Sequence, residues 1–117
     1  MIYLDHLSPS NLTAYVVNAH TLSLTWDLPS NTNELDRIFI TVIELGSINR
    51  TIQTQSFDGT IKKLDLPINN YDPASIHTNR TVYFTVQTSN RHGQNSSLID
   101  YQLFINTISK LCQISMC

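Results

Sequence analysis

Apolar residues recur at every second position along most of this chain, while the 3.6-residue period of an amphipathic helix is nearly absent. After Pro9, Leu12, Ala14 and Val16 alternate through a first predicted strand, and a turn around Asn18-Ala19-His20 leads to Leu22-Ser23-Leu24-Thr25-Trp26. Leu22, Leu24 and Trp26 share one face of that strand and Thr21, Ser23, Thr25 and Asp27 the other, which predicts a buried indole anchoring a core. Pro29 and the polar run Ser30-Asn31-Thr32-Asn33 break the pattern. Over residues 38–43, Ile38, Ile40 and Val42 lie on one parity and Phe39, Thr41 and Ile43 on the other, so both faces carry apolar groups. A weaker strand is expected over residues 51–55, a turn at Asp58-Gly59 and a short strand over residues 60–66. Val82, Phe84 and Val86 alternate with Tyr83, Thr85 and Gln87. After the turn Asn90-Arg91-His92-Gly93, a last strand over residues 98–105 sets Ile99, Tyr101, Leu103 and Ile105 on one face.

About seven short alternating strands separated by turns predict an all-β fold, a sandwich of two antiparallel sheets. A chain of 117 residues forms one domain and buries about two thirds of its unfolded surface, so it needs no metal or disulfide framework to fold. Charge narrows the partners. The net charge is -2, and the seven Lys and Arg are scattered, with Lys62-Lys63 the only adjacent pair. No basic stripe exists for a phosphate backbone and no polybasic patch for a membrane surface, so no nucleic acid partner is expected. No stretch approaches the roughly 18 apolar residues of a membrane span, and the amino end lacks the apolar run of a secretion signal.

Motifs for chemistry are missing as well. There is no Gly-x-Ser-x-Gly elbow, no His-Glu-x-x-His and no phosphate-cradling glycine loop among only three glycines. His6, His20, His77 and His92 read as solvated loop residues. The Cys112–Cys117 spacing without a nearby histidine makes a poor zinc site, and Glu34-Leu35-Asp36-Arg37 lacks the acidic partners a calcium site needs. The expectation is therefore a non-enzyme with no cofactor and no metal.

Three segments resemble the fibronectin type III pattern: Pro9-Ser10-Asn11-Leu12, then Thr21-Leu22-Ser23-Leu24-Thr25-Trp26-Asp27-Leu28-Pro29, then Val82-x-Phe84-x-Val86-x-Thr88-x-Asn90-x-x-Gly93. The likeness spans about residues 8–107 and implies an immunoglobulin-like sandwich. It divides the chain into a leader or linker over residues 1–8, the domain over 9–107 with a long inserted loop at 67–81, and a tail over 108–117. Two departures stand out. Val82 occupies the place of a tyrosine whose hydroxyl pins a corner in the family, and the corner itself is fifteen residues long from Pro67 to Thr81. Either Tyr71 supplies the ring from within the loop or the corner is remodelled; Pro67, Pro73 and the paired Asn69-Asn70 favour a mostly irregular path with room for a single helical turn near Ala74, and a loop this long is usually functional or mobile.

Candidate sites follow from the same parities. If Ile38, Ile40, Val42, Val82, Phe84 and Val86 point inward, Phe39, Ile43, Tyr83 and Phe104 point outward on adjoining strands, a contiguous partner surface unless the tail or the inserted loop covers it. Asn11, Asn49, Asn79 and Asn95 each begin an N-glycosylation sequon, and the last three fall at loops or loop edges. Cys112 and Cys117 have three open readings: free thiols, a mutual disulfide, or bonds to a neighbouring module. The resemblance implies a protein-binding or spacer module of a receptor, adhesion or matrix protein, with a protein partner, an adjacent domain or its own copy on the sheet face. Two alternatives remain, an intracellular scaffolding module and a cytokine-receptor-like ectodomain, although the Trp-Ser-x-Trp-Ser signature of the latter is missing. The sequons favour an extracellular setting over a cytoplasmic one. Tripeptide Arg-Gly-Asp is absent.

Overall fold

The computed structural model describes residues 5–30 and 32–106; Cys112 and Cys117 lie outside them. Strands β1 (Ser10–Asn18), β2 (Thr21–Asp27) and β5 (Lys63–Pro67) form a three-stranded sheet in the order β1-β2-β5. Strands β3 (Leu35–Leu45), β4 (Arg50–Asp58), β6 (Arg80–Asn90) and β7 (Ile99–Ile105) form the second sheet, in the order β4-β3-β6-β7. Every pairing is antiparallel. Between the sheets lie Leu12, Ala14, Leu22, Leu24 and Trp26 from one side and Ile38, Ile40, Val42, Val82, Phe84, Val86 and Ile105 from the other, so the alternating positions do meet as a sandwich core.

Trp26 is 3% exposed, and its indole Nε1–H donates to the Ile61 carbonyl at 3.1 Å. The Lys62 carbonyl accepts from the Trp26 backbone amide at 3.2 Å. The carbonyls of Ile61 and Lys62 are thus occupied in satisfying the tryptophan, and β5 starts only at Lys63. β4 runs longer than the alternation suggests, to Asp58. Its register explains why: Val42 faces Gln53 while Ile43 faces Thr51, leaving Ile52 as the extra residue of a bulge that switches which parity faces inward.

The corner is remodelled. Tyr71 is 97% exposed and does not supply the missing ring, and Val82 is simply a buried core residue. Ala74 lies in a single hydrogen-bonded turn, Ser75 N–H donating to Asp72 O at 3.0 Å, and not in a helix. Instead Ile68 and Ile76 enter the core at 4% and 0% exposure. Their backbones close on each other and on the next hairpin: Ile76 N–H donates to Pro67 O at 3.2 Å, Asn69 N–H to Ile76 O at 3.0 Å, and Ile68 N–H to His20 O at 2.9 Å. Asp72 caps the turn between them, accepting from Ala74 N–H at 2.9 Å and from Ser75 Oγ at 3.0 Å. The amino end also contributes. Leu7, in a 3-10 turn over Asp5–Leu7, is fully buried, and its carbonyl accepts from Thr88 Oγ1 at 2.6 Å.

Candidate functional site

The outward side of the four-stranded sheet is built in rows by strand register. One row runs Thr51, Ile43, Tyr83, Gln102; the next runs Leu45, Thr81, Phe104. Ile43 and Tyr83 are therefore direct cross-strand neighbours, and Phe104 lies diagonally from Tyr83. Phe39 stands apart. It pairs with Ser56 and Gln87, and the row Thr54, Thr41, Thr85, Asp100 separates it from Ile43. The expected patch of four is thus a group of three, with Leu45 added, plus one isolated ring. Phe104 is 51% and Phe39 38% exposed, while Ile43 and Tyr83 are half-buried.

Asp100 is the one charged side chain in the rows from Phe39 to Leu45, and it accepts the Tyr83 hydroxyl at 2.9 Å. That hydrogen bond, helped by partial burial and the carboxylate's charge, raises the Tyr83 pKa above its ordinary value. The face therefore carries little charge and is aromatic at one end, a composition suited to contact with protein.

At that same end, β3 carries a carboxylate on its core side. Glu44 continues the inward parity of Ile38, Ile40 and Val42, and its side chain is 9% exposed. Arg50 grips it with two teeth, Nε to Oε1 at 3.2 Å and Nη2 to Oε2 at 3.0 Å, while donating to the carbonyls of Pro73 and of Ser75, the latter at 3.0 Å. His77 completes the cluster: Nε2 lies 2.9 Å from the Asp72 carbonyl, and Nδ1 lies 3.4 Å from Arg50 Nη2 and 3.8 Å from Glu44. With Nε2–H donating to the carbonyl, Nδ1 is left to accept from Arg50. His77 is thus a structural member of the corner, not the solvated loop residue expected. Burial pushes the Glu44 pKa up, but the Arg50 hydrogen bond and charge, followed by His77, outweigh it and hold the carboxyl below its ordinary range. A cleft of about 490 Å³ opens beside this cluster, lined among others by Ile48, Arg80, Thr81 and Phe104. Ile48, at 85% exposure, had no periodic signal to mark it.

The sequon asparagines sit at the two poles of the sandwich. Asn49 and Asn79 are exposed next to the cleft, Asn49 in the β3–β4 turn with its Oδ1 accepting from Gly46 N–H at 3.2 Å. At the other pole Asn11, in β1 at φ 55°, donates to Asp27 at 2.6 Å, and Asn95 is half-buried in an isolated bridge with Ser89.

No family model matches the chain, and no curated protein matches it in sequence. Solved structures do match in shape. The fibronectin type III domain of human collagen alpha-1(XX) aligns with TM-score 0.69 at 14% identity, covering 91% of this chain and 90% of that one. The third fibronectin III domain of a human protein aligns at 0.64 with 16% identity, covering 91% and 89%. A segment of two such domains from chicken tenascin aligns at 0.64 with 12% identity, covering 87% of this chain and 50% of that one. The chain has the fibronectin type III fold. At these identities the likeness shows the fold alone, and function rests on the surfaces just described.

Proposed function

We propose that this fibronectin type III fold is a non-catalytic, extracellular protein-binding or spacer module of a receptor, adhesion or matrix protein. The observation that carries the reading is the nearly charge-free outer sheet face ending in Ile43, Leu45, Tyr83 and Phe104. Aromatic groups on a rigid sheet gain burial at little entropic cost, which is how protein contacts are commonly anchored. The extracellular setting is supported by the exposed sequons Asn49 and Asn79 at one pole, where a glycan would stand in solvent.

Secretion of the chain from eukaryotic cells, followed by glycopeptide mapping and a screen against an array of secreted ectodomains, tests both halves. Occupied Asn49 and Asn79, with binders lost in Phe104→Ser and Ile43→Ser variants of unchanged melting temperature, is the expected result. Unglycosylated protein whose binders ignore both substitutions would point instead to the intracellular scaffolding reading.

A further inference from the structure

We propose that β4 is an edge through which two copies of this chain join, antiparallel about a two-fold axis, into one continuous eight-stranded sheet. An unpaired edge strand offers a row of free N–H and C=O groups, and folded proteins blunt such edges with charge, proline, bulges or short length. Three of the four edges here are blunted. β5 has five residues including Lys63, Asp65 and Pro67. β1 carries two register shifts and a positive φ at Asn11. β7 carries Asp100 in its second position and is the shorter edge of its sheet. β4 has nine residues, and the run Thr51-Ile52-Gln53-Thr54-Gln55-Ser56-Phe57 between its ends contains no charge, proline or glycine.

Among the described residues, nothing fully shields β4 on either side. Gln53 and Gln55 pair with the core residues Val42 and Ile40 and therefore face the sandwich interior, yet Gln55 is exposed and Gln53 half-exposed. Their side chains turn to each other, Gln53 Nε2–H donating to Gln55 Oε1 at 2.7 Å.

A second copy fits this edge better than an arbitrary strand. Beyond the bulge at Ile52 the register is regular from Gln53 to Asp58, and the uncharged part of that stretch, Gln53 to Phe57, has Gln55 at its centre. Antiparallel pairing about that residue sets Gln55 against itself, Thr54 against Ser56 and Gln53 against Phe57, each pair sharing a parity as the pleat requires. A primary amide is at once donor and acceptor, so two Gln55 side chains related by a two-fold can exchange hydrogen bonds reciprocally. The strand ends, Arg50 and Asp58, are of opposite sign, so an antiparallel copy sets the basic end toward the acidic end and creates no like-charge clash. A pairing this short buries well under the roughly 800 Å² per partner of a standard interface, so the dimer is weak, with a Kd between about 10 μM and 1 mM. Tethering at a cell surface or in a tandem array would raise its occupancy.

Sedimentation of the full chain with Cys112→Ser and Cys117→Ser, which removes covalent dimers, tests the proposal. The weight-average mass is expected to climb toward the dimer between about 10 μM and 1 mM. Gln55→Lys, which places two ammonium groups at the axis, should weaken association at least about tenfold with an unchanged melting curve. If that variant melts early, Thr54→Glu on the outer side of the same strand provides the same reading. A chain that stays monomeric at about 1 mM overturns the proposal. So does a dimer that survives both β4 variants and is lost in Phe104→Ser or in Tyr15→Lys on β1, an edge of the other sheet.

Discussion

Glu44 and Arg50 clasp one another across the β3–β4 turn at 3.0 and 3.2 Å, and the same guanidinium closes on the carbonyls of the corner that joins β5 to β6. One arginine therefore ties two loops to one end of the core. Removing it leaves a carboxylate inside with its main partner gone. Breaking a buried pair costs about 3–5 kcal/mol, and because Arg50 itself is 31% exposed the Arg50→Met variant is expected near about 2 kcal/mol by urea denaturation. The pH dependence has a definite sign. The folded carboxyl titrates below its ordinary 4.5, so its contribution is complete above that pH and disappears as acidity increases through the folded value. Stability measured from pH 6 down to about 3 should fall less steeply in Glu44→Gln than in the parent.

The corner's apolar residues carry more weight than its exposed ring. Ile76→Ala removes a fully buried side chain and should cost about 3 kcal/mol. Tyr71→Ala, at the exposed tip, should stay within about 0.5 kcal/mol. Exchanging residues 68–79 for a short turn is accordingly expected to destabilise the domain, because Ile68 and Ile76 leave the core with it.

Leu7 makes the amino end part of the fold. Leu7→Ala is expected to lose about 3 kcal/mol. Thr88→Val, which strips the donor from the Leu7 carbonyl, should lose about 1–2 kcal/mol. Thermal melts of both variants against the parent check this.

Tyr83 reports on the outer face. Its phenol titrates above the ordinary 10.0 because it donates to Asp100, so NMR titration should find a lower midpoint in Asp100→Asn. With the folded pKa raised, the stabilisation is complete below pH 10 and fades as the solution becomes more alkaline.

The strands were readable because one face of each is dry, and dryness imposes a period of two on Leu22, Leu24 and Trp26 and on Val82, Phe84 and Val86. β4 looks short in the sequence because the bulge at Ile52 breaks that period and because Gln53 and Gln55 face inward at a place the opposite sheet does not shield. The Glu44 cluster had half a signal: parity alone sets Glu44 on the core side of β3. Its partners lie six and thirty-three positions away in sequence, at Arg50 and His77, and no local pattern links them. Ile68 and Ile76 were visible only as isolated apolar residues in a stretch without period, which is why the corner read as irregular. The outward parity of Phe39, Ile43, Tyr83 and Phe104 follows from alternation, but their spacing depends on how β3, β6 and β7 align, and that separates Phe39 from the rest.

Since the chain has a single indole and it is shut between the layers with its ring nitrogen already engaged, near-ultraviolet excitation selects one fluorophore at the centre of the domain. Its emission should be blue relative to free tryptophan and should redden in one step on unfolding, giving each of the variants above a label-free optical readout.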